Sequence, residues 1–219
     1  MSTVIEDRDI RQRELIPPEK LQGTRVTVVG VGAGGRQVAL QLAAIGVPRI
    51  TLIDPDTVRP ENLAAQGYHE SDLGRPKVDA TRDLCQSINS EIEVTTISRK
   101  FRSMDFSGGV LFCCVDKIDT RKAIFEAVQQ RADLFIDGRM SAEYARIFIV
   151  YDDASREHYA TTLFPAAEAY RGACTAKTTI YCANVSAGLR VAQFAKWLRG
   201  CDLDKEIDVN MLTNEMGAQ

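Results

Sequence analysis

The stretch from Val26 to Asp56 constrains this chain more than any other. Val26–Val29 is a short apolar run that ends in glycines. Gly34 to Gly46 carries Val38, Leu42 and Ile45 on one helical face, and Arg49–Ile53 is a second apolar run stopped by Asp54-Pro55-Asp56. Two strand signals around one helical signal make a β-α-β unit. Parallel strands need such a crossover, and it is right-handed, so the unit commits the chain to a layered α/β architecture with a parallel sheet.

The join between the first strand and the helix reads Gly30-Val31-Gly32-Ala33-Gly34-Gly35, which fits G-x-G-x-x-G with Gly30, Gly32 and Gly35 at the motif positions. Glycines there allow a tight turn and a close approach of backbone to a phosphate. The helix N-terminus behind them supplies unpaired N–H groups and positive dipole. Asp54 ends the second strand, where an acid accepts hydrogen bonds from ribose hydroxyls. Taken alone, the loop fits a nicotinamide dehydrogenase as well as any other nucleotide-binding protein.

The alternation continues downstream. Pro76 opens a helix that runs to about Ile88, and Ile92–Ile97 alternates as a strand. Val110–Val115 is a continuous apolar run of the kind covered on both faces. Thr120–Arg131 reads as a helix, and Leu134–Ile136 and Tyr144–Tyr151 read as strands. Asp152–Lys177 reads as an irregular crossing segment. Thr178–Leu198 is the last long helix, with Ile180, Ala183, Ala187, Val191, Phe194 and Leu198 on one core-facing stripe. A charged helix is expected before Pro17-Pro18, and a loosely attached polar tail after Gly200.

Composition removes several functions. With 27 basic and 30 acidic residues among 219, the net charge of −3 argues against a dedicated nucleic-acid binder. No apolar run reaches the roughly 18 residues of a membrane span. The charged start, MSTVIEDRDIRQREL, is unlike a signal peptide, so a cytoplasmic location is expected. The six cysteines include no Cys-x-x-Cys pair, which excludes the commonest zinc spacing and a thioredoxin-type motif. His69 and His158 stand in no nucleophile constellation.

Four further motifs are more specific than the glycine loop. They are Asp54-Pro55-Asp56-Thr57-Val58, then Glu61-Asn62-Leu63, then Gly74-Arg75-Pro76-Lys77-Val78, then Cys114-Val115-Asp116, with Arg8-Asp9-Ile10-Arg11-Gln12 ahead of them. In this order they resemble the ubiquitin-activating superfamily, and most of all its bacterial ThiF/MoeB-type adenylyltransferases. The resemblance covers about residues 6–200. It implies a Rossmann-like ThiF-type fold: a mainly parallel central sheet flanked by helices, with a smaller C-terminal half. One domain over 1–219 is expected, with a helical arm at 1–22, a nucleotide-binding part at 23–151, and a crossing segment and C-terminal helix at 152–219.

The resemblance also implies a reaction. Such enzymes use ATP and Mg²⁺ to adenylate the C-terminal glycine carboxylate of a ubiquitin-like or sulfur-carrier protein, and they work as homodimers without nucleic acid or membrane. An anionic carboxylate must attack the α-phosphate of a polyanionic nucleotide, so catalysis is mostly positioning and cationic stabilisation. By carry-over, Lys77 contacts the phosphates and Asp116 holds Mg²⁺. Gly30, Gly32, Gly35, Asp54, Asp56 and Asn62 cradle the nucleotide, and Arg11 reaches the phosphates from the other subunit. Cys174, in Gly172-Ala173-Cys174-Thr175, resembles the loop cysteine that takes the activated acyl group in several members.

Three departures qualify this, the slightest being Ala33 in the glycine loop, where the family commonly has a glycine. The family reads N-L-x-R-Q where this chain reads Asn62-Leu63-Ala64-Ala65-Gln66, so Ala65 replaces a phosphate-binding arginine, with Arg59 and Arg75 nearby in sequence. Tyr159 and Thr162 stand where many members place zinc cysteines, so no zinc is expected. A catalytically impaired nucleotide- or partner-binding relative, and a member that activates a small-molecule, peptide or tRNA-bound carboxylate, remain the alternatives.

Overall fold

A computed structural model describes residues 8–165 and 178–219. Among these residues eight strands form one sheet in the order β3-β2-β1-β4-β5-β6-β7-β8. The strands are β1 (Arg25–Val29), β2 (Arg49–Ile53), β3 (Glu93–Ile97), β4 (Gly109–Cys113), β5 (Ala132–Ser141), β6 (Tyr144–Val150), β7 (Glu206–Asn210) and β8 (Glu215–Ala218). The first five run parallel and the last three are added antiparallel. The mainly parallel sheet flanked by helices is therefore the architecture expected from the sequence.

Among the described residues seven α-helices accompany it: α1 (Pro18–Leu21), α2 (Ala33–Ala44), α3 (Glu61–Gln66), α4 (Lys77–Ile88), α5 (Ile118–Val128), α6 (Asp153–Thr161) and α7 (Ile180–Arg199). Alternation along the strands divides the core into two layers. Val28, Leu52, Phe112, Ile136 and Ile149 point into the layer that holds Val38, Leu42 and Phe194 of α2 and α7. Val29, Ile53, Leu111, Phe135 and Phe148 point the other way, against Ile124 and Phe125 of α5 and Tyr159 of α6. The longest helix is delimited by its own chemistry. The Thr179 side chain accepts from the Cys182 N–H at its start, and Gly200 adopts φ 73° at its end.

Four features differ from the sequence expectation. Residues 8–16 form hydrogen-bonded turns, and the one short helix near Pro17-Pro18 is α1, after the first proline rather than before it. β5 runs for ten residues because Asp137, Gly138 and Arg139, poor strand formers, are paired across to β6. The segment expected to be irregular from Asp152 begins with α6, capped where Asp152 and Ser155 exchange hydrogen bonds. The tail is not loosely attached: β7 and β8 extend the sheet, and Ile207 and Val209 are buried. Among the described residues no helix is long and apolar enough to cross a membrane.

Candidate nucleotide site at the switch point of the sheet

β1 and β4 are neighbours, but the chain leaves them in opposite directions, toward β2 and β5. A crevice opens beyond the carboxyl ends of two such strands, where α/β proteins bind ligands. The glycine loop leaves β1 there and Cys114-Val115-Asp116 leaves β4. Backbone bonds continue the sheet into both, from Gly30 N–H to Ile53 O (2.8 Å) and from Cys114 N–H to Val29 O (2.8 Å). Gly30 has φ +87°, and a Cβ on it would lie 2.8 Å from Cys114 O. A Cβ on Gly35 would lie 1.8 Å from Gly30 O, so the loop folds back on itself in a way only glycine permits. Helix α2 then starts at Ala33 behind Gly32, which offers no side-chain cap. Its first N–H groups face the crevice with the positive end of the dipole.

Asp54 ties the end of β2 to this loop. Its carboxylate accepts from Val31 N–H and from Asp56 N–H, both at 2.8 Å. Burial pushes its pKa up, against these two hydrogen bonds and the nearby Lys77 charge. Lys77 opens α4 and is only 6% exposed, so it is not a solvent-facing helix lysine. Its Nζ lies 3.3 Å from Asp56 Oδ2, and its backbone N–H donates to Asp56 O at 2.9 Å. Tyr68 closes the group from behind, donating to Val31 O at 2.6 Å.

Helix α3 lies against the loop. Asn62 is buried and its Oδ1 accepts from Arg59 N–H at 3.0 Å, which shapes the first turn of that helix. Gln66 at its end is near Gly32: a Cβ there would sit 3.8 Å from Gln66 Oε1, a buried oxygen without a partner among the described residues. Arg36 of α2 holds α3 in place. Its guanidinium donates to Gly67 O (2.8 Å) and stacks over the Tyr68 ring (4.4 Å to the centroid). Ala65 is half-buried on the same helix. Of the arginines near it in sequence, Arg75 is engaged by Asp72 and Asp83, whereas no described residue engages the exposed Arg59 side chain.

Asp116 is exposed, makes no hydrogen bond or ion pair with any described residue, and does not cap α5, whose N-cap is Lys117. The loop that presents it is braced from below. Buried Arg121 donates both to Val115 O and to Asp137, and Asp137 also accepts from Arg139 (2.9 Å) and Tyr159 (3.0 Å). Arg139 goes on to Thr162 O and Oγ1, each at 2.9 Å. Tyr159 and Thr162 thus both bond to this charge network.

The fold brings together Gly30, Gly32, Gly35, Asp54, Asp56, Asn62, Lys77 and Asp116. It does not bring Arg11 to them. Arg8 donates to Ile88 O at the far end of α4, and Asp9 faces Gly46 beyond the far end of α2. That helix spans 12 residues, about 18 Å at 1.5 Å per residue. Cys174 lies outside the described residues. No sequence motif marks Arg36, Arg121, Asp137 or Arg190. Arg190 falls on the apolar stripe of α7, three residues after Ala187, and a charge on a core-facing stripe was the available signal.

A doubly wound sheet with a glycine loop at its switch point defines the class of α/β fold to which this chain's architecture belongs. Residues 7–217 match the ThiF family, and the chain belongs to it. It is 33% identical to molybdopterin-synthase adenylyltransferase of Salmonella typhimurium over 112 residues, 48% of this chain and 45% of that protein. It is 46% identical to adenylyltransferase and sulfurtransferase MOCS3 of Culex quinquefasciatus over 78 residues, 35% of this chain and 18% of that one. The chain spans less than half the length of these curated relatives. Among solved structures, E. coli MccB with AMPCPP and selenomethionine MccA has the same fold, with TM-score 0.76 and 20% identity over 99% of this chain and 72% of that one.

Proposed function

We propose that this protein binds MgATP in the crevice beyond β1 and β4 and adenylates the C-terminal glycine carboxylate of a ubiquitin-like or sulfur-carrier protein. One observation carries the reading. Segments far apart in sequence, the glycine loop, Asp54–Asp56, Lys77 and Asp116, meet at one end of the sheet, with Lys77 buried among them. Relatives named as adenylyltransferases support it. In the reaction a carboxylate oxygen bonds to the α-phosphorus, the α-phosphorus–oxygen bond toward the β-phosphate breaks, and pyrophosphate leaves.

The chain's residues divide this task. N–H groups of the glycine loop and the first turn of α2 receive phosphate oxygens. Asp56 keeps the Lys77 ammonium at the mouth until phosphate becomes its partner. Asp54 holds the loop and offers its remaining lone pairs to a ribose hydroxyl. Asn62 and Gln66 border the nucleotide on α3. Asp116 suits Mg²⁺, because an exposed carboxylate without an internal partner matches an ion that takes one or two carboxylates plus phosphate oxygens. Mg²⁺ bound there supplies charge neutralisation to the leaving pyrophosphate. Arg11, at the wrong end of its own subunit, acts from the second subunit of a homodimer. Cys174 is the proposed acceptor of an optional second step, in which its sulfur bonds to the acyl carbon and AMP leaves.

A second reading is activation of a carboxylate other than a carrier protein's. The likeness to MccB, described as a microcin C7 biosynthetic enzyme, favours keeping it. Exchange of labelled pyrophosphate into ATP decides between them, run with small proteins ending in Gly-Gly and with short peptides. The expected result is exchange dependent on a Gly-Gly protein and lost in Asp116→Ala with the fold intact. Exchange with peptides alone turns the proposal to the second reading. Wild-type exchange by Asp116→Ala removes the metal assignment.

A further inference from the structure

Arg190 of α7 is 0% exposed, yet among the described residues no carboxylate pairs with it. Its Nε donates to Ser186 O at 3.1 Å and its Nη1 to Cys114 Sγ at 2.9 Å, while Nη2 is buried without a partner. Neither acceptor is a carboxylate: one is a backbone carbonyl and the other a cysteine sulfur. The nearest acid in sequence across the sheet, Asp137, faces the opposite layer and is shared by Arg121 and Arg139. A buried, unpaired charge is among the costliest arrangements a fold can keep.

The surroundings are shaped around this group. A Cβ on Gly34 would lie 2.5 Å from Nη2, and one on Gly138 would lie 2.8 Å from the guanidinium carbon. The guanidinium therefore occupies a slot between the first turn of α2 and β5, just under the glycine loop. The positive end of the α2 dipole points to the same place, which raises the cost of the charge further. Arginine is the cation most easily held in such a site, being planar and weakly hydrated. An anion on the other side of the Gly32–Gly35 backbone would neutralise both. The N–H groups there also await an acceptor.

We propose that Arg190 is a binding residue for the nucleotide phosphates, acting by its charge through one layer of glycine backbone. This rests on the reading of the glycine loop as the MgATP site. Arg190 touches no reacting atom, so its effect falls on binding and on the stability of the ligand-free protein, not on one chemical step.

The test is calorimetric titration of MgATP and of inorganic pyrophosphate into wild type, Arg190→Gln, Arg190→Met and Arg190→Lys, with thermal melting of each protein without ligand. Removal of one unit charge at this range is expected to weaken MgATP binding about tenfold or more in both neutral variants. Their ligand-free melting temperatures should equal or exceed that of wild type, because an uncompensated charge has been removed. Arg190→Lys should retain most of the affinity. A merely structural arginine gives the opposite pattern: Arg190→Gln and Arg190→Met melt lower or fail to fold, and either result overturns the proposal. Unchanged affinity in both neutral variants also overturns it while leaving the nucleotide site in place. Failure of wild type to bind MgATP overturns the reading of the site and this inference with it.

Discussion

The glycine loop depends on contacts that leave no room for a side chain. The close approach of Gly35 to Gly30 O means that Gly35→Ala must push the first turn of α2 away from the end of β1. A loss of about 2 kcal/mol or more in urea unfolding is expected, together with loss of nucleotide binding. An unchanged unfolding midpoint would contradict the described loop. These glycines, Asp54 and Lys77 were legible in the sequence because chemistry restricts residue type at each position. Arg36 and Arg121 were not, because nothing local in either distinguishes a core guanidinium from a surface one, and Arg190 offered only its place on the apolar stripe of α7. What sets them apart is what they face: Gly67 O, Asp137, and a slot between two glycines.

At the scale of elements, legibility followed burial. β1, β2 and β4 are interior strands of the sheet and read as apolar runs, and α2 and α7 read as amphipathic stripes. β7 did not, because its sequence Glu206-Ile207-Asp208-Val209-Asn210 alternates with charges that have partners. Glu206 is fully buried, accepts from Arg146 and from His158 (2.8 Å), and so pins β7 to β6 and α6. Burial pushes the pKa of its carboxyl up, but the hydrogen bonds and charges of Arg146 and His158 outweigh that and hold it below its ordinary value. A carboxyl depressed in the folded state stabilises the fold above its unfolded-state pKa, about 4.3, and the stabilisation is lost as pH falls through the folded value. Because Arg146 is partly exposed, Glu206→Gln is expected to cost about 1–2 kcal/mol at neutral pH and progressively less as the pH falls through the depressed folded-state value. Chemical denaturation at pH 7 and at acid pH checks this. Equal losses at both would remove the ion pair from the account.

For the molecule as a whole, the position of the N-terminal arm matters most. Arg8, Asp9 and Arg11 sit by the ends of α2 and α4 that point away from the glycine loop. If Arg11 works, it works on a second subunit. Arg11→Ala and Lys77→Ala should then each be inactive as homodimers. Mixing them should restore up to about a quarter of wild-type activity, because one of the two sites in a heterodimer holds both residues. Activity of a strictly monomeric species, measured by light scattering under assay conditions, would contradict this. The arrangement was half legible: the arginine motif was readable, but its distance from the site emerged only from the packing of the turn at residues 8–16.

The central claim is that the crevice beyond β1 and β4 is a MgATP site rather than a nicotinamide site. Calorimetric titration of MgATP and of NAD into wild type and Lys77→Ala tests it most directly. The account predicts saturable MgATP binding by wild type, weakened about tenfold or more in Lys77→Ala, with no measurable NAD binding by either. NAD binding without MgATP binding, or MgATP binding unaffected by loss of the Lys77 ammonium, would contradict it.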